Sequence, residues 1–547
     1  MTALQPRDNR LTGRSVDQAR HGMVATSQPL AVRVGVDILQ SGGSAVDAAI
    51  AVNAALGLME PMSCGIGGDL FAIVWDAATR RLYGLNASGP APGAVNVQLL
   101  RDQGLTAMPP TGPFTWTIPG CVAGWAALHR RFGRLPLAEL LAPAIRCAEE
   151  GFPVTKVIAA AWQAGVLAWG ADRDFSRTYA PAGRAPAAGE IFANPLLAAT
   201  YRLLAEQGPA AFYDGPIASV LADYSKRQGG FLRRSDLAAF RPEWVAPRAV
   251  RYRGHDVWQL PPNGQGLAVL QMLAMLERMD LAALGCHTAD YLHTLIEIKK
   301  IVYEDRARFY ADPRFFPTPV DDLLSAAYTR RRLALLQPDR AGLAFPAGDP
   351  RLAAGDTVYL TVVDEARNAV SLIQSIYQDF GSGLVPAGLG FCLQNRGALF
   401  SLDPDHPNAL APGKRPFHTI IPALVSRDGD PVFVFGVMGG AMQPQGQVQI
   451  LSNILDFGMD IQAAGDAPRF RHDGSSEPAG GRMTDGGTVI LEEGISPGVG
   501  RELAARGHRV VFGEGGFGGY QGIWIDARHG MLSGASESRK DGCALGY

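Results

Sequence analysis

The chain has 547 residues, of which 47% are hydrophobic and 19% charged, enough apolar content to bury a large core and to exclude disorder beyond the ends. A formal net charge of -2, with no dense Lys/Arg run interleaved with aromatics, excludes the electrostatic footprint of a nucleic-acid binder. No stretch of about 18 apolar residues spans a membrane and residues 1–20 lack the apolar centre of a signal peptide, so the expected location is cytoplasmic, without a membrane partner.

Along the chain, Gly22-Met23-Val24-Ala25-Thr26 reads as a short strand, and 29–39 as a helix ended by the Gly42-Gly43 break. Ser44 caps the next helix, over 45–58, and Asp47 stands three residues on in capping-box manner. This helix is apolar nearly all round, the pattern of a deeply buried one, and Glu60-Pro61 ends it. Ser63-Cys64-Gly65-Ile66-Gly67-Gly68-Asp69 follows as a loop before a strand over 70–75. Its glycines come after a helix and before a strand, the reverse of a dinucleotide fingerprint, and are assigned to a turn.

The middle, 120–340, reads mostly helical, with segments over 122–132, 137–150, 196–207, 264–279 and 288–310. The Pro/Gly/Ala-rich interval 345–355 lacks hydrophobic periodicity, as an exposed and accessible segment would. Strands dominate from there: 357–363, a polar turn at 364–368 and 369–377 form a predicted hairpin, followed by strands over 431–437, 489–491, 508–512 and 520–525. Helices are expected over 448–457 and 497–506. Helices first and strands paired later predict an α/β fold, a four-layer αββα sandwich whose sheet is completed by both halves of the chain. Six scattered cysteines, with no Cys-x-x-Cys pair and no zinc-type spacing, are expected to be buried free thiols; His287 beside Cys286 does not make a metal site, and neither metal nor cofactor is expected.

Thr357 follows Gly355-Asp356 and opens the alternating segment Thr357-Val358-Tyr359-Leu360-Thr361-Val362-Val363. Alternation puts Thr357, Tyr359 and Thr361 on one face, and Val358, Leu360 and Val362 on the other, against core. Locally, Thr357 reads as a β-branched strand residue. Cut before Thr357, however, the chain would carry a hydroxyl nucleophile and a free α-amine on one residue.

Gly22-Met23-Val24-Ala25-Thr26, Gly42-Gly43-Ser44-Ala45-Val46-Asp47-Ala48-Ala49, Gly65-Ile66-Gly67-Gly68, the Thr357 strand, Phe380-Gly381-Ser382-Gly383, Lys414-Arg415-Pro416 and Met438-Gly439-Gly440 occur in the order seen in the gamma-glutamyltranspeptidase family. The chain resembles that family from about residue 20 to its end. The resemblance implies an N-terminal-nucleophile hydrolase fold and autocleavage between Asp356 and Thr357. It further implies a heterodimer of a large chain, 1–356, and a small chain, 357–547, forming one structural domain. Gly439 and Gly440 match the family's oxyanion pair, although an ordinary turn after the 431–437 strand fits the same residues. Ser375 falls where the family hydrogen-bonds its nucleophile, with Thr361 a weaker candidate for that support.

The chain departs from the family's glutamyl-binding pattern. The family's arginine for an α-carboxylate is absent from Asn86-Ala87-Ser88-Gly89-Pro90-Ala91-Pro92, and its acidic side chains are absent from Leu393-Gln394-Asn395-Arg396-Gly397-Ala398-Leu399. His418-Thr419 replaces a serine pair. Met442-Gln443-Pro444-Gln445 looks like the branch containing oxamate amidohydrolases and cephalosporin acylase-like proteins. The expected activity is hydrolysis of a small amide with an anionic acyl group, held by Arg396 with His418, Thr419, Tyr377 and Asn395. Arg396 reads alternatively as a surface arginine, and Tyr377 as a core residue. Glutathione hydrolysis or gamma-glutamyl transfer is the alternative activity, and an uncleaved, non-catalytic binding protein a minor one. Higher assembly of the heterodimer is left open.

Overall fold

Ser44 begins the most deeply enclosed helix of the protein, a computed structural model of which describes residues 14–346 and 358–547. Asp356 and Thr357, the expected cleavage pair, lie outside the described residues. Ser44 Oγ accepts the Asp47 N–H at 3.1 Å, and Asp47 Oδ2 accepts the Ser44 N–H at 2.8 Å, closing the predicted capping box. Every residue of that helix, α2 (Ala45–Met59), is buried; α1 (Pro29–Gln40) precedes it.

The strands that matter for the site are, in chain order, β1 (Asp17–Ala19), β2 (Met23–Thr26), β3 (Asp69–Asp76), β4 (Arg81–Ala87), β5 (Glu243–Val245), β6 (Arg248–Tyr252) and β7 (His255–Gln259). They continue with β8 (Val358–Val363), β9 (Ala369–Ser375), β10 (Ala423–Arg427), β11 (Asp430–Met438), β12 (Gly519–Asp526), β13 (Met531–Ser536) and β14 (Cys543–Gly546). One seven-stranded sheet runs β1-β13-β12-β11-β10-β7-β6, and the other β14-β2-β8-β9-β3-β4-β5. The predicted hairpin is present: β8 pairs antiparallel with β9 from Val358–Gln374 to Val363–Ala369. It sits between β2 and β3, so strands from both halves of the chain alternate in the sheet.

Alternation along β8 separates two cores. Val358, Leu360 and Val362 pack with α1 and α2 on the outer face. Tyr359 and Val363 point between the sheets, toward Leu424 and Val434 of the other one. Beyond that second sheet, Phe433, Phe435 and Val437 pack under α6 (Gly266–Leu276), α7 (Ala289–Phe309) and α8 (Met442–Leu455). The outer helices α3 (Cys121–Phe132), α4 (Leu137–Glu150) and α5 (Pro195–Gln207) complete the first layer. Helix, sheet, sheet, helix is the predicted αββα order, with both faces of β8 buried rather than one.

The middle departs from its helical reading at β5, β6 and β7. Arg253 and Gly254 both take positive φ (47° and 77°), the two-residue turn that matches strand twist, and β6 and β7 pair across it as a hairpin. α8 starts at Met442, six residues before its predicted start, because Pro444 falls in the first turn, where its missing N–H is tolerated. Thr488–Leu491 and Val510–Phe512 join Phe470–Asp473 in a separate three-stranded sheet, not the sandwich. None of the six cysteines is in a disulfide, but Cys147, Cys286 and Cys543 are only half-buried, against the expectation of burial throughout. Among the described residues no helix is long and apolar enough to cross a membrane.

Candidate active site

The β8–β9 hairpin brings its last residue, Ser375, to the end of the sheet where β8 begins, one position beyond the Val358–Gln374 pair. On its other side Ser375 pairs with Asp69, the first residue of β3. Ser375 is fully buried, and its hydroxyl oxygen accepts from Arg396 Nη2 at 3.0 Å and from the Tyr377 backbone N–H at 2.8 Å.

Arg396 opens a short 3-10 turn and is 0% exposed, which rules out its reading as a surface arginine. Its Nη1 donates to Thr419 Oγ1 at 2.8 Å, and its guanidinium lies 4.6 Å from the centre of the Tyr377 ring. Among the described residues its Nε has no hydrogen-bond partner. Burial lowers its pKa to about 10, so it remains a cation at neutral pH. Tyr377 is buried core and touches the site through its ring, held by a backbone at φ +82°, a left-handed conformation costly for a bulky residue.

Asp69 is the hub that sequence reasoning passed over. Its Oδ1 accepts the N–H groups of Gly89 (3.0 Å) and Gly120 (3.2 Å) and the Gln394 amide (3.0 Å), and its Oδ2 lies 3.1 Å from His418 Nε2. Burial pushes its carboxyl up to about 7, against the opposing pull of Arg396 and these donors. Burial, reinforced by Arg396, holds His418 well below its ordinary value, so the ring is neutral.

The predicted glycine pair occupies the turn from β11 into α8, with φ of +111° at Gly439 and +54° at Gly440. Gln265 clamps this turn: its Nε2 donates to Gly440 O (2.9 Å) and Thr419 O (2.7 Å), while Arg306 Nη1 donates to its Oε1 (2.7 Å). Gly439, Ala441 and Met442 line a cleft of about 890 Å³ that also takes in Gln378, Asp379 and Glu477.

Ser375, Arg396, Thr419 and Tyr377 are thus in direct contact, and His418 joins them through Asp69. Asn395 is spent on the loop: its Nδ2 donates to Pro110 O (2.8 Å) and Gln378 Oε1 (2.6 Å). Thr361 sits mid-sheet, paired with Ala25 and Ser371, three positions beyond Val358. Residues 86–92 hold no arginine, and Arg415, whose Nε donates to Ser88 O at 2.9 Å, is committed to Glu243. Among the described residues one group, His293, Glu297 and His508, gathers metal-capable atoms within 4.8 Å of one another. Lys300 Nζ lies 2.8 Å from Glu297 and His293 Nδ1 lies 2.8 Å from His508 Nε2, so these atoms already have partners.

Two stacked antiparallel sheets between helical layers, with buried polar groups gathered at the start of a central strand, make this an N-terminal-nucleophile hydrolase fold. The chain belongs to the gamma-glutamyltranspeptidase family, whose profile, described as Gamma-glutamyltranspeptidase, matches residues 31–547, and it is an enzyme of that hydrolase and acyltransferase family. It is 36% identical to the glutathione hydrolase-like YwrD proenzyme of Bacillus subtilis, over 96% of this chain and 98% of that one. It is 35% identical to the oxamate amidohydrolase proenzyme of Klebsiella pneumoniae, over 97% of this chain and 100% of that one. Among solved structures, the cephalosporin acylase from Bacillus halodurans superposes with a TM-score of 0.91 at 41% identity, covering 99% of both chains.

Proposed function

We propose that the protein is an autoprocessing amidohydrolase that cleaves a small amide bearing an anionic acyl group, of oxamate type, through a Thr357 acyl-enzyme. The observation that carries this reading is Arg396, a buried cation bonded to Ser375 and Thr419 with its Nε unpartnered among the described residues. A buried unpaired donor on a charged group is costly, and a substrate carboxylate would satisfy it.

In this reading the Thr357 hydroxyl first attacks the Asp356 carbonyl, the shift of the acyl group from nitrogen to oxygen frees the α-amine, and water hydrolyses the resulting ester to release the Asp356 carboxylate and the Thr357 hydroxyl. That leaves chain 1–356 and chain 357–547 as a heterodimer. The amine, with a reference pKa of about 7.7–8.0, is partly neutral near pH 7 and accepts the hydroxyl proton as Thr357 attacks the substrate carbonyl. Gly439 and Gly440, having no side chains, let backbone N–H groups approach the developing oxyanion. The proton passes to the departing amine, and water then attacks the ester, so that oxamate would yield oxalate and ammonia. The protein supplies nucleophile, base and oxyanion donors itself.

The roomy cleft at Gly439, about 890 Å³, favours a second reading in which a larger amide such as glutathione is the substrate. Intact mass spectrometry of the wild type beside Thr357→Ala, followed by turnover of oxamate against glutathione, tests both. Two fragments beginning at Met1 and Thr357, absent from the variant, with oxamate preferred, support the first reading. Glutathione preferred supports the second, and one uncut chain without turnover removes both.

A further inference from the structure

We propose that Asp69 is a positioning residue of the acyl pocket, which holds His418 in its Nε2–H form and sets the net charge that an incoming carboxylate meets beside Arg396. This rests on the reading of Arg396 as the anion-binding residue.

His418 Nδ1 faces the Ile420 N–H at 3.4 Å, as an acceptor, so the proton of the neutral ring lies on Nε2 and points at Asp69 Oδ2. The ring is packed against Phe71, 4.8 Å between centres, and the backbone N–H of His418 donates to Asn263 O at 2.8 Å. Fixing this ring fixes its neighbour Thr419, whose hydroxyl accepts from Arg396. Asp69 reaches the segment that carries Arg396 too, since Gln394, two residues before Arg396, donates to its Oδ1.

Among the described residues, the titratable groups that face Asp69 are Arg396, His418, Cys121 and Tyr213. Arg396 is the cation and His418 is neutral. Cys121, at the start of α3, and Tyr213 are both held in their neutral forms by burial, with Asp69 adding to the effect. Ionised Asp69 therefore cancels Arg396, and an anionic substrate meets a centre of no net charge; protonated Asp69 leaves the full positive charge of Arg396. The pocket's taste for anions is thereby made to depend on one carboxyl that touches no part of the reacting bond.

The measurement is the ratio of KM for oxamate to KM for its uncharged counterpart pyruvamide, at pH values from about 6 to 8.5. The ratio cancels the effect of the catalytic amine on turnover, and the Asp69→Asn series separates the charge that the protonated amine itself offers to an anion. In the wild type it is expected to fall roughly tenfold as pH drops through neutrality, the size of one unit charge acting across a buried pocket. In Asp69→Asn it should stay near the wild-type low-pH value at every pH. A flat ratio in the wild type, or an Asp69→Asn ratio that still follows pH as the wild type does, overturns the proposal; a flat wild-type series decides against it even if the variant does not fold. Arg396→Ala separates the two layers. A raised ratio supports the anion-binding reading independently of Asp69, and an unchanged ratio sinks that reading and this proposal with it.

Discussion

The Arg396 guanidinium donates to the Ser375 hydroxyl at 3.0 Å, so the cation of the proposed acyl pocket is fastened to the last residue of the strand beside β8. In the proposed reading, substrate charge and the nucleophile's neighbour are thereby joined by a single bond. Ser375→Ala leaves a buried charged donor without its acceptor, at a cost of about 1–3 kcal/mol, and also frees the Tyr377 N–H. Steady-state kinetics should show kcat/KM lowered by roughly tenfold or more; a change under about twofold would remove Ser375 from the site.

Arg396→Lys keeps the charge but not the planar fork that spans Thr419 and Ser375 while lying on Tyr377. KM for oxamate is expected to rise at least about tenfold, and further for Arg396→Ala, with kcat less affected. Equal KM values for Lys and wild type would mean that only charge matters at this position.

Gly439→Ala tests the oxyanion assignment. Its φ of +111° is strained for any side chain, and an added Cβ would stand 3.2 Å from Gly518 Cα. If its turn presents the oxyanion donors, kcat falls by about 10²-fold or more while KM changes little. A turn of purely structural importance would instead lower thermal stability and leave kcat of the folded fraction near normal.

What the sequence makes legible is what lies close together along it. Ser44 and Asp47 announce their helix because a capping box needs only four residues, and the 357–377 hairpin announces itself by alternation around a polar turn. Asp69 could not be found this way: its donors Gly89, Gly120, Gln394 and His418 lie 20, 51, 325 and 349 residues away. A Gly-Gly-Asp at the mouth of an apolar strand was the one local sign, since an acid opening a buried strand needs partners. The β6–β7 hairpin is hidden in the sequence for a smaller reason, Arg253 in a left-handed turn position usually filled by Asn, Asp or Gly.

Ser44→Ala removes the acceptor of the Asp47 N–H and should cost about 1 kcal/mol of stability, read from denaturant unfolding. The loss should leave KM for any substrate untouched.

Glu304 offers a pH-dependent stability term. Burial raises its carboxyl to about 7, although the Ser476 hydroxyl donates to it. Its folded pKa exceeds the unfolded value of about 4.3, so between these values the folded state binds more protons than the unfolded one. Its contribution to stability is therefore lost as pH rises from about 4.3 through 7. Glu304→Gln should remove that loss, so the melting temperature of the variant minus that of the wild type should grow from about pH 5 to pH 8. A constant difference would show that Glu304 titrates normally.

The placing of β8 and β9 between β2 and β3, and of β10 to β13 between β7 and β1, has a consequence for inheritance as well as for mechanics. A break before Thr357 would sever one covalent bond yet leave every seam between the two pieces laced by ladder hydrogen bonds, so the halves should melt together in one transition. Neither half owns a complete sheet. Two separately expressed genes would each have to display raw strand edges while waiting for the other, an open invitation to aggregation. Such a molecule is best born as one polypeptide and divided only after it has closed.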